Sequence, residues 1–580
     1  MTGTVARPRH VERRWVPRRE AAKDPAGLAA SARISEIVAG VLAARGVESE
    51  EEARSLLSPS LEQLHDPHLM LGMREAVERV LKAVDAGERI LVYGDYDVDG
   101  TTGTVVLRRA LSFLGAQTGY HVPHRFTEGY GIRRDVLERA KGEGYSLVIS
   151  VDCGIRAFEP LEWAREHGLD VIITDHHLPD DDEGAPPAYA VLNPNQKGCA
   201  YPDKHLAGVG VAFKLAHALF RERGRESLVP GFLKVVAIGT VADVAQLTGE
   251  NRAIVALGLA DLHRATNPGL RALMEVAGCG DGTAMRAFDI GFRLGPRINA
   301  AGRMDAARAV VELFETKSHR EARALAEHLD ARNRERRDVQ QQVTERAAAE
   351  LELTGQGETA VVVVAGDGWH RGVIGLAASK LAERLQRPAV VISLDEDGTG
   401  HGSARSGDGF HMLDALTGCA DLLEAFGGHA HAAGLSVRRE NVAELRRRLN
   451  EHAARVMCEG EDGQPCLEYD LELPAGALSL DLCGELEALE PFGAGWPRPV
   501  FVTRNLRVVG EPRVLKERHL KFGVAAGGRV QDCIWWGGAE RATATPRPGA
   551  SIELAYSVEA NCWNGNTRLQ LVVEDLKVEV

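Results

Sequence analysis

Short apolar runs alternate with helix-period stretches between Arg89 and about Asn193. The runs 90–93, 147–151 and 171–174 are brief and rich in Val and Ile, which favours strands over buried helix segments. Between them, residues 105–113 and 160–167 repeat apolar positions at helical spacing. This alternation predicts a parallel sheet with helices on both faces.

Residues 317–353 are strongly charged and free of Gly and Pro, predicting one long connecting helix or two broken near Asp330. A second α/β pattern follows, with strands at 359–364 and 388–393 around a helix at 373–385. Beyond about Glu461 the pattern changes to short strands with turns, at 499–503, 519–524, 531–536, 551–556 and 569–573. Such a run predicts a small closed barrel or sandwich. No repeat of solenoid period is visible. The acidic turn at 180–183 reads as a solvated loop.

A chain of 580 residues exceeds one hydrophobic core, so several domains are expected. The formal net charge of -14 repels phosphate at long range. A nucleic-acid binder of this sign must therefore concentrate its basic side chains locally. The 9 cysteines include no C-x-x-C pair, which points to a reducing compartment and away from structural zinc. Residues 1–20 are rich in Arg without an apolar core, unlike a secretory signal, and no apolar stretch is long enough to cross a bilayer. A cytoplasmic protein with no membrane partner is expected.

The strongest local chemistry lies in Tyr93-Gly94-Asp95-Tyr96-Asp97-Val98-Asp99-Gly100. Alternating aspartates resemble a calcium loop, but the twelfth position is Val106 and a strand precedes the loop where a helix is required. What remains is a strand ending in carboxylates, with Asp97 and Asp99 on one side of an extended segment and a helix opening near Thr101 and Thr102. An Asp-rich turn with a helix cap is the plainer alternative. The second strand ends at Asp152 and the third at Asp175-His176-His177. Ligand groups in open parallel sheets gather at the carboxyl ends of strands, so these residues converge on one edge. Asp243, ending the apolar run 237–242, is a further donor or else a solvent-facing helix terminus. Oxygen and imidazole donors without thiolate suit Mn²⁺ and tolerate Mg²⁺.

On these residues the chain resembles the DHH phosphoesterase superfamily, named for the Asp175-His176-His177 tripeptide, and more closely its RecJ family of bacterial single-strand-specific exonucleases. Further matching segments run 123–131, 295–303, 369–375, 402–406, 427–434 and 491–495. The resemblance implies a parallel-sheet α/β DHH catalytic domain, a long connecting helix, a second α/β DHH-associated domain and an all-β OB-like domain. The expected boundaries are a helical segment at 1–60, then 61–315, 316–354, 355–460 and 461–580. It implies catalytic residues Asp97, Asp99, Asp152, His176, His177 and Asp243, of which all but His177 bind metal, with Asp95 lining the same pocket. Two ions, Mn²⁺ or Mg²⁺, are expected, spaced about 3.5–4 Å as in paired sites that clamp an in-line displacement. His177 is placed beside the scissile phosphate as donor or acid.

Substrate contacts are implied for Arg125, Arg297, Asn299, Arg303, His370, Ser403, Arg405, Ser406 and His429. The resemblance further implies 5′ to 3′ digestion of single-stranded DNA in recombination and repair, by a monomer that meets a helicase or single-strand-binding protein. The chain departs from the family pattern at Tyr93, where His is common, at Trp496, where Asn is expected, and at 244–247, which lacks a proline.

Read without the family, Ser403, Arg405, Ser406 and the glycine-flanked His429 would equally make a structural hairpin. The basic cluster 332–337 is either a solvated helix face or part of the strand's path. Gly208-Val209-Gly210 lacks the third glycine of a dinucleotide fingerprint and predicts a tight helix start. Phe522, Trp535, Trp536 and Trp563 are candidates for base stacking, although adjacent Trp535 and Trp536 must face opposite sides of a strand. The competing functions are a phosphodiesterase for very short or cyclic oligonucleotides, a catalytically silent DNA-binding scaffold and a pyrophosphatase.

Overall fold

A computed structural model describes residues 13–19, 25–180, 182, 184–280, 282–304, 306–407, 409–458, 466–541, 545–563 and 565–578. Most of the arginine-rich 1–20 stretch and parts of the acidic turn lie outside them. The chain divides into two compact units: residues 49–334 with 488–498, and residues 1–48 with 335–487 and 499–580. A short strand, β1 (Arg14–Pro17), precedes the helices of the N-terminal region, which was expected from the resemblance as a helical segment.

In the first unit, β2 (Arg89–Tyr93), β3 (Gln117–His121), β4 (Tyr145–Ser150), β5 (Asp170–Thr174) and β6 (Ala190–Leu192) form one parallel sheet in the order β3-β2-β4-β5-β6. Alternate residues feed two cores. Ile90, Val92, Leu147, Ile149 and Ile172 face one, while Leu91, Tyr93, Val148, Val171 and Ile173 face the other. The helices α1 (Val98–Phe113) and α2 (Gly208–Glu222) pack on the first face. The strand order reverses direction between β2 and β4, so a crevice opens beyond their carboxyl ends. The helices α3 (Leu233–Ala242) and α4 (Gly295–Arg303) complete the surroundings of the site. The sequence pattern did not single out β3 or β6; β3 is a half-exposed edge strand with polar residues, and β6 is only three residues long.

One continuous helix, α5 (His319–Leu353), settles the open question at Asp330, and the division between units falls within it. Its second half packs Val343, Ala347 and Leu351 against β7 (Val362–Asp367), β8 (Ala389–Leu394) and α6 (Arg371–Leu385). These two strands join β9 (Thr399–Arg405), β10 (Leu423–Gly428) and β11 (Ala432–Arg438) in a mixed sheet ordered β10-β11-β9-β8-β7. The strand β12 (Cys466–Tyr469) pairs in parallel with β1. After β13 (Leu471–Glu472), the strands β14 (Phe501–Leu515), β15 (His519–Ala526), β16 (Arg529–Trp535), β17 (Ser551–Trp563) and β18 (Asn566–Val578) close into a five-stranded barrel through the β14–β17 pairing. Of the two readings left open, the barrel holds.

Among the described residues, no single helix is long and apolar enough to cross a membrane. The helix α2 is anchored by a fully buried ion pair, with Lys214 Nζ 2.6 Å from Glu250 Oε1. Lys214 also donates to the His65 carbonyl at 2.5 Å, and Glu250 accepts from the Tyr201 hydroxyl and the His65 amide. Burial pulls the Lys214 pKa down although Glu250 opposes it. Removing one member strands the other charge in a dry interior. Lys214→Met is therefore expected to lower the unfolding free energy by about 3–5 kcal/mol. Urea unfolding monitored by tryptophan fluorescence reads this directly, and an unmoved midpoint would discount the pair as an anchor.

Candidate active site

The turn from β2 into α1 delivers the first carboxylates. Asp97 is the N-cap of α1, its Oδ1 accepting from Gly100 N at 2.9 Å, and Asp99 lies in the first helical turn. The two thus converge as cap and first-turn residue, which corrects the extended geometry inferred from their spacing. Asp99 turns both oxygens to the opening amides of α2, at 2.6 Å from Gly208 N and 2.7 Å from Val209 N. A helix N-terminus is a natural seat for an anion. Asp152 packs against the same turn, where a Cβ at Gly208 would stand 2.6 Å from Asp152 Cβ and 2.7 Å from its Oδ1.

Asp152 follows β4 with φ 63, a left-handed conformation uncommon outside glycine. Its amide is held by the Thr174 carbonyl at 2.9 Å. His176 follows β5 and places Nε2 3.2 Å from Asp152 Oδ1, 3.7 Å from Asp99 Oδ2 and 4.0 Å from Asp243 Oδ2. Asp243 is the C-cap of α3, where the helix dipole disfavours a carboxylate. Asp95, Asp97 and Asp152 each offer an oxygen within 4.8 Å of the others. All lie at the point where the strand order reverses.

The electrostatics are those of crowded anions. Burial and then Asp97 raise Asp95 well above the usual carboxylate range and Asp99 to about 7. Burial, then Asp99 and Asp97, raise Asp152 well up and Asp243 to about 9. Burial, then His177, lowers His176 to about 4, leaving the neutral imidazole that metals bind. Asp95 Oδ1 and Asp152 Oδ1 are buried without a hydrogen-bond partner. Orphaned anionic oxygens beside a neutral imidazole fit a divalent cation, and this donor set suits Mn²⁺ or Mg²⁺.

His177 behaves oppositely. Burial opposes its charge, but Asp175 Oδ1 at 2.8 Å from Nδ1 outweighs it and raises the pKa. Asp175 is a fully buried bracket: Oδ1 also accepts the His176 and His177 amides, and Oδ2 accepts Ile155 N at 2.9 Å. The Tyr130 hydroxyl reaches His177 Nδ1 at 3.1 Å and the Asp152 carbonyl at 3.2 Å. Asn193 and Asn195 clamp the carbonyls of His177 and His176, each at 2.8 Å. The sequence reading gave no role to Tyr130, Asn193 or Asn195. Asn193-Pro194-Asn195 directly after β6, at the same carboxyl edge, was the available signal.

Other residues singled out from sequence fall into two groups. In the first unit, Arg125 stacks over Tyr96 at 4.8 Å, and Asn299 Oδ1 accepts Val98 N at the start of α1. Arg303 ends α4, which packs so closely on Tyr96 that a Cβ at Gly302 would stand 2.2 Å from its carbonyl. Arg297 gives Nε to Asp330 at 2.9 Å and Nη1 to the Arg293 carbonyl at 2.7 Å. Tyr93 is buried, with its hydroxyl on the Gly131 carbonyl at 3.0 Å.

In the second unit, Ser403 and Arg405 share one side of β9, with Arg405 Nη1 donating to Ser403 Oγ at 3.0 Å. Ser406 donates to the Ala430 carbonyl, His429 is exposed, and His370 caps α6 by accepting Gly372 N. In the barrel, Phe522 and Trp535 are core residues, which corrects their assignment as stacking candidates, whereas Trp536 is 56% exposed. The side chain of Trp563 lies outside the described residues.

A doubly wound sheet carrying Asp175-His176-His177 and a carboxylate cluster at its reversal point defines a DHH-type phosphoesterase. Family models agree: the DHH family N-terminal domain matches residues 89–240, the DHHA1 domain 357–455 and the RecJ OB domain 469–575. The chain is 39% identical over 568 residues to the single-stranded-DNA-specific exonuclease RecJ of Bacillus subtilis, covering 97% of this chain and 71% of that protein. It is 35% identical to the Escherichia coli RecJ, covering 94% and 96%. The structure of Thermus thermophilus RecJ in complex with Mn²⁺ is similar with a TM-score of 0.83 at 30% identity, covering 98% of this chain and 80% of that one. The chain belongs to the RecJ family.

The opposed behaviour of the two adjacent histidines is testable. Asp175→Asn removes the hydrogen bond and the charge that lift His177 most, leaving only Asp99 and Asp97 against burial, so its pKa falls. An NMR pH titration of the metal-free protein measures this, and an unshifted His177 would discard Asp175 as the cause.

Proposed function

We propose that this chain is a metal-dependent exonuclease of single-stranded DNA, with Asp97, Asp99, Asp152, His176 and Asp243 holding two divalent ions, Mn²⁺ or Mg²⁺. The reading is carried by Asp152 Oδ1, buried without a hydrogen-bond partner and 3.2 Å from the neutral His176. An anion so placed is costly unless a cation compensates it. Its relatives are named for this activity, and the similar Thermus structures hold Mn²⁺ or Mg²⁺.

Bound divalent ions would supply a nucleophile at neutral pH and neutralise charge on the reacting phosphate. The chain's own groups do the positioning. Two amides at the start of α2 fix Asp99, and Asn195 fixes the His176 backbone. His177, whose pKa Asp175 raises and which is 39% exposed, is the group assigned to donate to a phosphate or leaving oxygen. Substrate phosphates are assigned to Arg125, Arg297, Asn299 and Arg303 in the first unit, and to His370, Ser403, Arg405, Ser406 and His429 in the second. Arginine forks match phosphate oxygens with two parallel hydrogen bonds. Digestion from the 5′ end, a role in recombination and repair, and a helicase or single-strand-binding partner follow the family likeness.

Asp152→Asn is expected to abolish Mn²⁺-dependent cleavage without lowering the melting temperature of the metal-free protein, since it replaces a crowded carboxyl that burial and its neighbours already push toward the neutral form with an uncharged group of the same shape. Single-stranded DNA labelled separately at each end should lose its 5′ label first. Earlier release of the 3′ label would reverse the polarity, and near-normal turnover by the variant would overturn the ligand assignment.

A further inference from the structure

The loop that carries Asp243 is gripped by a segment far away in sequence. Behind Asp243, Val244 takes φ 62 while 70% exposed, a left-handed conformation that a β-branched residue keeps only when its surroundings impose it. Residues 488–498 count with the same compact unit, although the chain on both sides of them belongs to the other. Leu247 N donates to the Ala494 carbonyl at 2.7 Å. Gly493 and Trp496 exchange backbone hydrogen bonds of 2.9 and 3.1 Å, which close the segment into a tight loop. The fit leaves little room: a Cβ at Gly493 would stand 2.6 Å from Leu247 Cδ1, and one at Gly495 3.1 Å from Gln246 Cβ.

The helix Gly249–Leu262 holds both partners of this contact from its first turn. Arg252, 2% exposed, donates to the carbonyls of Leu489 at 2.8 Å, Glu490 at 2.9 Å and Pro491 at 3.0 Å. Its guanidinium lies 5.1 Å over the Trp496 ring, whose Nε1 donates to the Leu489 carbonyl at 3.0 Å. The neighbouring Asn251 donates to the Gln246 carbonyl at 3.1 Å. One helical turn therefore ties residues 489–491 on one side and Gln246 on the other.

We infer that residues 488–498 are a positioning strap for Asp243. By fixing the backbone of residues 244–247, the strap fixes where the Asp243 carboxylate stands and thereby the affinity of the site for a divalent ion. This rests on Asp243 being a metal ligand, as proposed above. Hard cations are sensitive to such placement, because their oxygen ligands must fall within a few tenths of an ångström of the ideal distance. Gly493, Trp496 and Arg252 are thus positioning residues.

The test uses the full-length protein without DNA, titrated with MnCl₂ and followed by the EPR signal of free Mn²⁺. Gly493→Ala meets the Leu247 side chain at Cδ1 and Cγ but none of the nearest atoms is backbone, and circular dichroism checks that the fold is kept. Arg252→Lys keeps the charge but loses the fork that spans the carbonyls of residues 489–491 and of Leu56. Each is expected to weaken Mn²⁺ binding by about 10-fold or more, the size typical of residues that orient a ligand. In an Asp243→Ala background neither should cost anything further. Unchanged Mn²⁺ affinity in a folded variant would overturn the strap. So would an equal loss with and without Asp243, which would mark a general softening of the unit. Failure of the unaltered protein to bind Mn²⁺ would instead overturn the metal-site reading itself, and the strap with it.

Discussion

Four carboxylates, Asp95, Asp99, Asp152 and Asp243, are crowded together where burial and repulsion between carboxylates push every one of them toward the neutral form. An arrangement this unfavourable has to be imposed, and the first unit is organised to impose it. Reversal of the strand order opens the crevice, the opening turn of α2 fixes Asp99, and a left-handed backbone aims Asp152. The helix α3 presents Asp243 against its own dipole. Binding free energy from a cation would then be folding free energy for these groups. The buried Lys214–Glu250 pair and the glycine at 208 serve the same end, one by anchoring α2 and the other by letting it come close.

Adjacent residues on one loop have their pKa values moved in opposite directions by what lies behind them. His176 faces the carboxylates yet stays neutral, because burial and the charge on His177 both oppose a proton. His177 faces Asp175, whose carboxylate is already committed to three amides and can serve only as a fixed counter-charge. A ligand needs a free lone pair and a proton donor needs its proton. The Asp-His-His order moves the two imidazoles toward these two states within three consecutive residues, as the roles proposed for them require.

Much of this was legible in the sequence where one residue's chemistry suffices. The β-branched runs ending in Asp152 and in Asp175-His176-His177 announced both the strands and the edge they share. Geometry was less legible. The spacing of Asp97 and Asp99 suggested an extended segment, whereas Asp97 caps a helix that begins at Val98, three residues before Thr101. Edge strand β3 carries polar residues because one side meets solvent, so it left no apolar signature. Asn193 and Asn195 act through their amides on backbone carbonyls, a contact no periodicity encodes. In the barrel, alternation correctly separated Trp535 from Trp536 but could not say which faced inward. The segment 491–495 was visible as a motif, yet its contact with Gln246 and Leu247 joins residues almost half the chain apart.

The pairing of β1 with β12 has a consequence for biosynthesis. About 450 residues separate Arg14 from its partner Cys466, so at ordinary ribosomal speeds of about 5–20 residues per second the first strand waits roughly 20–90 s for its mate. Trp15, which finally donates to Asp575 at 2.8 Å, waits longer still. Throughout that interval an unpaired strand with an aromatic side chain trails from the nascent polypeptide, open to the edge-to-edge association that exposed strands invite. The strand is only four residues long, and Arg14 within it and Arg13, Arg18 and Arg19 beside it are charges of the kind that oppose such association until residues 466–469 emerge.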